Sequence, residues 1–166
     1  MINFEQLVFR KAVASDLPQI ITLLSDDILG KDRESSQNLK IYEAAFAEIS
    51  ADQNNFLAVI DSSKEIIGTC HLTLMPSLTL QASKRMNIEA VRIKDSFRGQ
   101  KIGQWMIEQA INFAEENKVK IIQLTTNKQR QDAQKFYQKL GFTSSHEGMK
   151  LLLNTLGHSE KPTTHL

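Results

Sequence analysis

Short segments rich in apolar and β-branched residues alternate along the chain with longer segments whose apolar residues recur at helical spacing. The short segments predict strands over 7–10, 56–60, 66–75, 87–93 and 120–125, and two last strands at Phe142 and over 149–153. The longer segments predict helices that begin at Ser15 and Asn38, and further helices over 102–117 and 131–140. The resulting order of elements, β-α-α-β-β-β-α-β-α-β-β, predicts a mixed α/β fold.

Single residues with strong backbone preferences mark several boundaries. Ser15 and Asn38 are expected to cap the first two helices, and Pro76 is expected to end the strand over 66–75. Gly141 suits the C′ position after the last helix, and the polar run 61–64 is typical of a hairpin turn. Four apolar residues of the second helix are expected to face inward: Ile41, Ala44, Ala45 and Ile49.

Length and composition describe an ordinary globular protein. The 166 residues suffice for one domain, which we expect over 1–153, followed by a flexible tail over 154–166. Cys70 is the single cysteine, which excludes an internal disulfide framework and a multi-cysteine metal site. The first residues lack the basic and apolar regions of a secretory signal, and no apolar run approaches the ~20 residues of a membrane span. A cytoplasmic protein without membrane partners is therefore expected.

Charge is distributed unevenly along the chain. The net charge is +1, yet residues 1–83 carry 6 basic and 11 acidic side chains, whereas residues 84–166 carry 14 basic and 8 acidic ones. A neutral total argues against nucleic acid as a partner, because such binding needs a net basic surface. The basic half still fits a small polyanionic ligand.

A glycine-containing loop, Arg98-Gly99-Gln100-Lys101-Ile102-Gly103, lies in that basic half between a predicted strand and a predicted helix. The first N–H groups of a helix have no intrahelical partner, and glycines let the backbone approach a ligand closely. Such a loop can hold a pyrophosphate. It matches neither the P-loop nor the G-x-G-x-x-G fingerprint, and an ordinary strand-to-helix turn with solvated basic side chains explains it equally well.

Two later features favour a functional interpretation of the loop. They are Asn127 and the segment Phe136-Tyr137-Gln138-Lys139-Leu140-Gly141-Phe142. Together they resemble the GNAT superfamily of acetyl-CoA-dependent N-acetyltransferases, whose R/Q-x-x-G-x-G/A loop matches 98–103. Lys101 departs from the pattern, which prefers glycine there. The stretches 29–34, 88–92 and 145–150 resemble a bacterial subgroup of this superfamily, and 124–137 resembles its aminoalkylphosphonate acetyltransferases.

The resemblance implies a central, mostly antiparallel mixed sheet flanked by helices, with a β-bulge before the loop and acetyl-CoA as co-substrate without a metal. It implies that the N–H of Val91 polarises the acetyl carbonyl and that Tyr137 is the general acid for the departing thiolate. A tyrosine packed on an amphipathic helix is the alternative. The implied cofactor-binding residues are Val91, Arg92, Ile93, Arg98, Gly99, Gln100, Lys101, Ile102, Gly103, Asn127, Arg130, Ala133 and Phe136.

Glu89 stands between Ile88 and Ala90 in an apolar strand, where a carboxylate is costly unless it is paired or functional. Burial would raise its pKa toward that of a useful base. Glu89 is thus a candidate general base or anchor for a substrate ammonium group, and a structural ion pair with Arg85 or Arg33 is the alternative. His71 is interpreted as a packed histidine, and Cys70 as a core residue rather than a nucleophile.

Arg33, Glu34, Arg85 and His146 are the candidate acceptor-binding residues. An arginine there would suit an acceptor that carries a carboxylate, phosphonate or phosphate, and His146 is an alternative base. The leading hypothesis is acetyl transfer to the amine of a small molecule. A protein N-acetyltransferase and a non-catalytic acyl-CoA-binding regulatory module are the alternatives, and the oligomeric state stays open, with homodimers common in the family.

Overall fold

The computed structural model describes residues 2–26 and 39–153, which form two compact units divided after Asn127. The first unit contains all five strands, β1 (Leu7–Lys11), β2 (Asn55–Ser62), β3 (Glu65–Met75), β4 (Arg85–Ile93) and β5 (Ile121–Leu124). Its helices are α1 (Leu17–Ser25), α2 (Leu39–Ala51), the single turn α3 (Thr79–Ala82) and α4 (Ile102–Glu116), with short 3-10 turns at Phe4–Gln6, Ala14–Asp16 and Asp95–Phe97. The second unit contains α5 (Gln131–Lys139).

The strands form one sheet in the order β1-β2-β3-β4-β5. The first three pairings are antiparallel, and β4 pairs with β5 in parallel. The predicted mixed and mostly antiparallel sheet is therefore confirmed. The turn between β2 and β3 consists of Ser63 and Lys64, with φ of 53° and 76°, as a two-residue type I′ hairpin requires. The Asp61 carboxylate accepts the Lys64 N–H at 2.8 Å and fixes this turn.

Helices cover both faces of the sheet. Leu57 and Val59 of β2 belong to the same buried cluster as Ile20 and Leu23 of α1. On the opposite face, Phe56 meets Phe113 of α4, with ring centroids 4.5 Å apart. The apolar stripe of α4 is buried as the helical spacing predicts, at Ile102, Met106, Ile107, Ala110 and Ala114.

The first helix begins differently from the expectation. Ser15 lies in a 3-10 turn, and Asp16 takes the N-cap position of α1. The buried Asp16 carboxylate accepts the Val13 N–H at 2.8 Å and pairs with Arg10 at 2.7 Å. Arg10 also pairs with Asp61 at 2.9 Å. The Asp16 carboxylate thus accepts from a guanidinium and a backbone N–H at once, and it makes no side-chain capping bond to α1.

The inward face of α2 also differs. Ile41 is 55% exposed, and Ala44 and Ala45 are exposed as well. Ile49 packs against the core cluster as predicted, and Phe46, which was not predicted to face inward, packs there with it.

The two last predicted strands are wrong within the described residues. Neither Phe142 nor residues 149–153 form a strand, and Met149, Leu151, Leu152 and Leu153 are 78–96% exposed. Their composition suits a strand, but a strand exists only where its backbone pairs with another one. The predicted tail over 154–166 lies outside the described residues.

Candidate active site

The sheet opens where β4 leaves β5. These strands pair from Arg85 opposite Ile121 to Ile88 opposite Leu124, and β5 ends there. β4 continues for five residues, from Glu89 to Ile93, and none of these pairs with β5. The edge of β4 that faces away from β3 is thus free of strand pairing over this stretch, within the described residues. An extended ligand can therefore lie along it.

A bulge occupies the same part of β4. Glu89 lies opposite His71 and Arg92 lies opposite Thr69, so Ala90 and Val91 together face Cys70. Ala90 has φ of 53°, in the left-handed region. The extra residue reverses the alternation of side chains, which brings Glu89 and Arg92 to the same face of the sheet. The bulge expected near Val91 is therefore present.

Two left-handed residues shape the loop that follows. Gly99 has φ of +76° and Lys101, the N-cap residue of α4, has φ of 63°. The first backbone hydrogen bond of α4 runs from the Trp105 N–H to the Lys101 carbonyl at 3.0 Å. The N–H groups that precede Trp105 in the helix therefore have no intrahelical acceptor. These are the N–H groups of Ile102, Gly103 and Gln104, at the positive end of the helix dipole. The backbone here fits an anionic group.

Several polar and cationic side chains of this region are already engaged. Arg98 pairs with Asp95 at 2.7 Å and donates to the Ile93 carbonyl at 3.2 Å. Arg92 donates to the Val91 carbonyl at 2.9 Å, and Gln100 donates to the Ser96 carbonyl at 3.2 Å. Lys94 pairs with Glu65. The exposed Lys101 makes no ion pair with the residues that the structure describes, so it is the cation best able to meet a ligand.

Glu89 differs from the expectation in one respect. Its side chain is 58% exposed, so the expectation of a buried carboxylate is wrong. Arg85 is not its partner, because Arg85 stands four residues earlier in β4, roughly 13 Å along the strand, and donates to Thr79 at 2.6 Å. The observed neighbour of Glu89 is His71, whose Nδ1 lies 3.5 Å from Glu89 Oε1. Glu89 stands at the point where the sheet opens, open to an incoming molecule.

His71 is packed, as predicted, but its contacts with Glu89 and with a second neighbour, Asn55, were missed. The His71 side chain is 14% exposed, and its Nε2 lies 2.7 Å from Asn55 Oδ1. Burial lowers the pKa of His71, and the Glu89 carboxylate partly opposes this change. A signal existed in the sequence: Thr69, His71 and Thr73 place polar groups at every second position of an otherwise apolar strand.

Cys70 behaves as predicted. It is fully buried, and this burial raises the pKa of its thiol to about 12. A thiol in this environment is inert.

The second unit holds the aromatic segment. Tyr137 on α5 is half-buried, and its ring packs against Phe136 at 5.1 Å and Phe142 at 5.7 Å. The helix ends at Gly141, with φ of +92°, where the Phe142 N–H donates to the Tyr137 carbonyl and the Gly141 N–H donates to the Gln138 carbonyl. These two bonds form a Schellman motif, which confirms the predicted C′ glycine.

The remaining candidates are dispersed. Arg130 is exposed at the start of α5 and Ala133 is half-buried one turn later. Asn127 is exposed three residues after β5. His146 is exposed and bonds to the Ser145 hydroxyl through Nδ1 at 2.8 Å. Arg33 and Glu34, with the stretch 29–34, lie outside the described residues.

Comparison with known families identifies the family of this chain. The sequence profile of the acetyltransferase (GNAT) family matches residues 18–142. The chain belongs to the GNAT acetyltransferase family. Its opened sheet, bulged β4 and α4 N-terminus are accordingly those of a GNAT enzyme, and GNAT acetyltransferases use acetyl-CoA. No helix among the described residues is long and apolar enough to cross a membrane.

Solved structures agree with this fold. A protein from Bacillus halodurans C-125 named as a transcriptional regulator is 44% identical, with a TM-score of 0.85 over 89% of this chain and 99% of that one. Glucosamine-6-phosphate N-acetyltransferase from Arabidopsis thaliana is 19% identical, with a TM-score of 0.70 over 89% and 99%. A protein from Clostridium acetobutylicum named as a predicted acetyltransferase, in a structure with acetyl-CoA, is 20% identical, with a TM-score of 0.69 over 92% and 99%. A comparison with curated proteins found no match.

Proposed function

We propose that this GNAT protein transfers the acetyl group of acetyl-CoA to the primary amine of a small molecule, in one ternary complex. One observation carries the proposal: three features follow one another along the chain. They are the open edge of β4, the bulge at Ala90–Val91 and the N-terminus of α4. The first accepts an extended arm, the second reorients the backbone beside Glu89, and the third suits a pyrophosphate.

Acetyl-CoA supplies an activated thioester. The proposed holders of its phosphates are the unpaired N–H groups of Ile102 and Gly103, with the exposed Lys101 adding charge. Val91 and its neighbours Arg92 and Ile93 are proposed to line the pantetheine arm, and the Val91 N–H to polarise the acetyl carbonyl. Asn127, Arg130, Ala133 and Phe136 complete the proposed binding set.

Glu89 is proposed to accept a proton from the acceptor ammonium, because its carboxylate is exposed where the sheet opens. Tyr137 is proposed to protonate the departing thiolate. A phenol of pKa near ~10 can protonate a thiolate whose thiol has a pKa near ~8.5 at modest cost. Arg33, Glu34, Arg85 and His146 remain proposed acceptor-binding residues, and an aminoalkylphosphonate is one acceptor class among several.

Calorimetry with acetyl-CoA tests the first half of this proposal, and binding in the micromolar range supports it. A thiol-release screen tests the second half, with aminoalkylphosphonates, polyamines, amino sugars and amino sugar phosphates as acceptors. Coenzyme A release that depends on one acceptor class, with the acetylated product identified by mass, supports a small-molecule acetyltransferase. If the protein binds acetyl-CoA but none of the tested amines causes release of coenzyme A, this proposal is contradicted.

The name of the 44% identical Bacillus halodurans protein favours one second candidate, a regulatory module that binds acyl-CoA. The two functions separate in one experiment. A regulator changes its affinity for a DNA or protein partner when acetyl-CoA binds, and it leaves acetyl-CoA intact. An enzyme consumes acetyl-CoA in proportion to the acceptor.

A further inference from the structure

A chain of hydrogen-bonding groups runs from Glu89 on β4 across His71 to Asn55 at the start of β2 and to Asp52 just before it. Glu89 Oε1 faces His71 Nδ1 at 3.5 Å, and His71 Nε2 faces Asn55 Oδ1 at 2.7 Å. The Asn55 amide nitrogen in turn donates to Asp52 Oδ2 at 2.7 Å. Glu89 and Asp52 are the exposed ends of this chain, and His71 and Asn55 lie partly buried between them.

The orientation of the Asn55 amide follows from its neighbours. The Asp52 carboxylate only accepts, so the Asn55 group that faces it must be the NH₂ group. The Thr73 hydroxyl donates to Asn55 Oδ1 at 3.3 Å, which agrees with this orientation. Asn55 therefore presents an oxygen to His71, and His71 must carry its proton on Nε2.

This tautomer leaves an unshared electron pair on Nδ1 of the neutral imidazole, directed toward Glu89. Two acceptors at 3.5 Å, the Nδ1 lone pair and an ionised carboxylate, are complementary only when one proton lies between them. His71 Nδ1 and Glu89 Oε1 can thus share a single proton.

Among the described residues, His71 faces the Glu89 carboxylate on β4, and Arg92 lies on the same face of that strand, opposite Thr69. From the segment before β2, Asp52 reaches His71 through Asn55.

Helix α2, which packs on β2, carries its described charged side chains exposed, at Lys40, Glu43 and Glu48. Helix α1, which also packs on β3, has no ionisable side chain between Leu17 and Ser25. Helix α4 covers the other face, where Phe113 meets Phe56. Burial lowers the pKa of His71, so near neutral pH the imidazole is uncharged and able to accept a proton.

We propose that His71 is a positioning residue that receives, through Glu89, the proton released by the acceptor amine, with its tautomer fixed by Asn55. The inference rests on the proposed acetyl transfer. Glu89 takes a proton from the ammonium group, which frees the nitrogen lone pair to attack, and passes that proton to Nδ1. The imidazolium returns it through the exposed carboxylate to water after product leaves, and the Nε2 proton stays with Asn55 throughout.

The first test needs no acceptor. Nitrogen-15 NMR of the imidazole reports which ring nitrogen carries the proton, and a pH titration reports the pKa of His71. We expect the Nε2–H tautomer in the full-length protein and a mixture of tautomers in Asn55→Ala. We also expect Glu89→Gln to lower the His71 pKa further, since it removes the carboxylate that raises it, and Glu116→Gln at the exposed end of α4 to leave it unchanged. A dominant Nδ1–H tautomer, or a His71 pKa that ignores Glu89→Gln, overturns the proposal.

The second test uses whichever amine the acceptor screen identifies. His71→Gln can keep a bond to Asn55 but cannot hold a proton, so we expect kcat to fall about 10²-fold with KM within about twofold, and the acidic limb of the pH–rate profile to change shape. A melting curve for each variant shows that it is folded. An unchanged kcat and pH profile in His71→Gln overturns the relay while acetyl transfer stands. Absence of turnover with every amine, with the NMR result as expected, overturns the proposed function instead.

Discussion

Ile88 of β4 lies opposite Leu124 of β5 in the last pair that joins these strands, and Glu89 is the next residue of β4. A single step along the chain therefore separates the buried sheet from the point where it opens. Ile88 is 1% exposed, whereas the Glu89 side chain is 58% exposed. The carboxylate is thus held on a rigid strand and yet reaches an incoming ligand.

Replacing Glu89 by Gln tests this carboxylate. Because the side chain is exposed, we expect the free energy of unfolding to change by less than about 0.5 kcal/mol, while kcat with an identified acceptor falls by about 10² to 10⁴. Urea unfolding and steady-state kinetics measure the two effects. Glu116→Gln is the matched control, and equal kcat values for the two variants would remove Glu89 from the mechanism.

Tyr137→Phe tests the proposed general acid. The ring packs against Phe136 and Phe142 in the native protein, and phenylalanine preserves this packing, so the variant should melt within a few degrees of the parent. We expect kcat to fall by about 10² because the thiolate loses its proton donor. Stopped-flow measurement of thiol release checks this, and intact turnover refutes the assignment.

Lys101 has φ of 63° where the family pattern prefers glycine. A left-handed conformation costs a residue with a Cβ atom about 1–2 kcal/mol, partly offset by the greater unfolded-state entropy of glycine. Lys101→Gly should therefore raise the free energy of unfolding by about 0.5–1 kcal/mol, and weaken acetyl-CoA binding about two- to fivefold by removing an exposed charge.

Lys118, just after α4, has φ of 58° and offers the matched control. Lys118→Gly should stabilise the protein by a similar amount and leave acetyl-CoA binding unchanged. Equal acetyl-CoA affinity in both variants would show that Lys101 does not contact the ligand.

Asp16 predicts a dependence of stability on pH. The Arg10 guanidinium holds the pKa of Asp16 below its usual range, so the folded state binds fewer protons than the unfolded state at this group. Its stabilising contribution is fully present above the ordinary pKa of about 3.9 and is lost as pH falls through the lower folded value. We expect Asp16→Asn to cost about 3 kcal/mol at pH 7, because it leaves Arg10 short of a partner, and much less at pH 2. Urea unfolding at both pH values measures this, and a cost that does not change with pH contradicts it.

Cys70 should resist alkylation in the native protein. Its thiol is fully buried, and burial raises its pKa to about 12. Iodoacetamide at pH 8 should label it only in denaturant, and Cys70→Ala should keep acetyl transfer. Fast native labelling that also abolishes turnover would point to a covalent mechanism.

The sequence correctly predicted those features that depend on a few consecutive residues. Gly141 ends α5 because glycine tolerates φ of +92°, and Pro76 follows the last residue of β3. Ser63 and Lys64 form the hairpin turn within the polar run 61–64. The buried stripe of α4 likewise follows from its own periodicity. The loop 98–103, taken together with Asn127 and the segment 136–142, also indicated the family.

Tertiary structure decided everything that depends on which strand faces which. The register of β3 on β4 brings His71 to Glu89, and the bulge at Ala90–Val91 turns Glu89 and Arg92 to one face. Phe46 and Ile49 form the inward side of α2, and the last pair of β4 with β5 lies one residue before Glu89. Sequence by itself determines the short-range preferences of the backbone. Distant strands can pair in many registers, and the register is fixed only when the whole sheet packs.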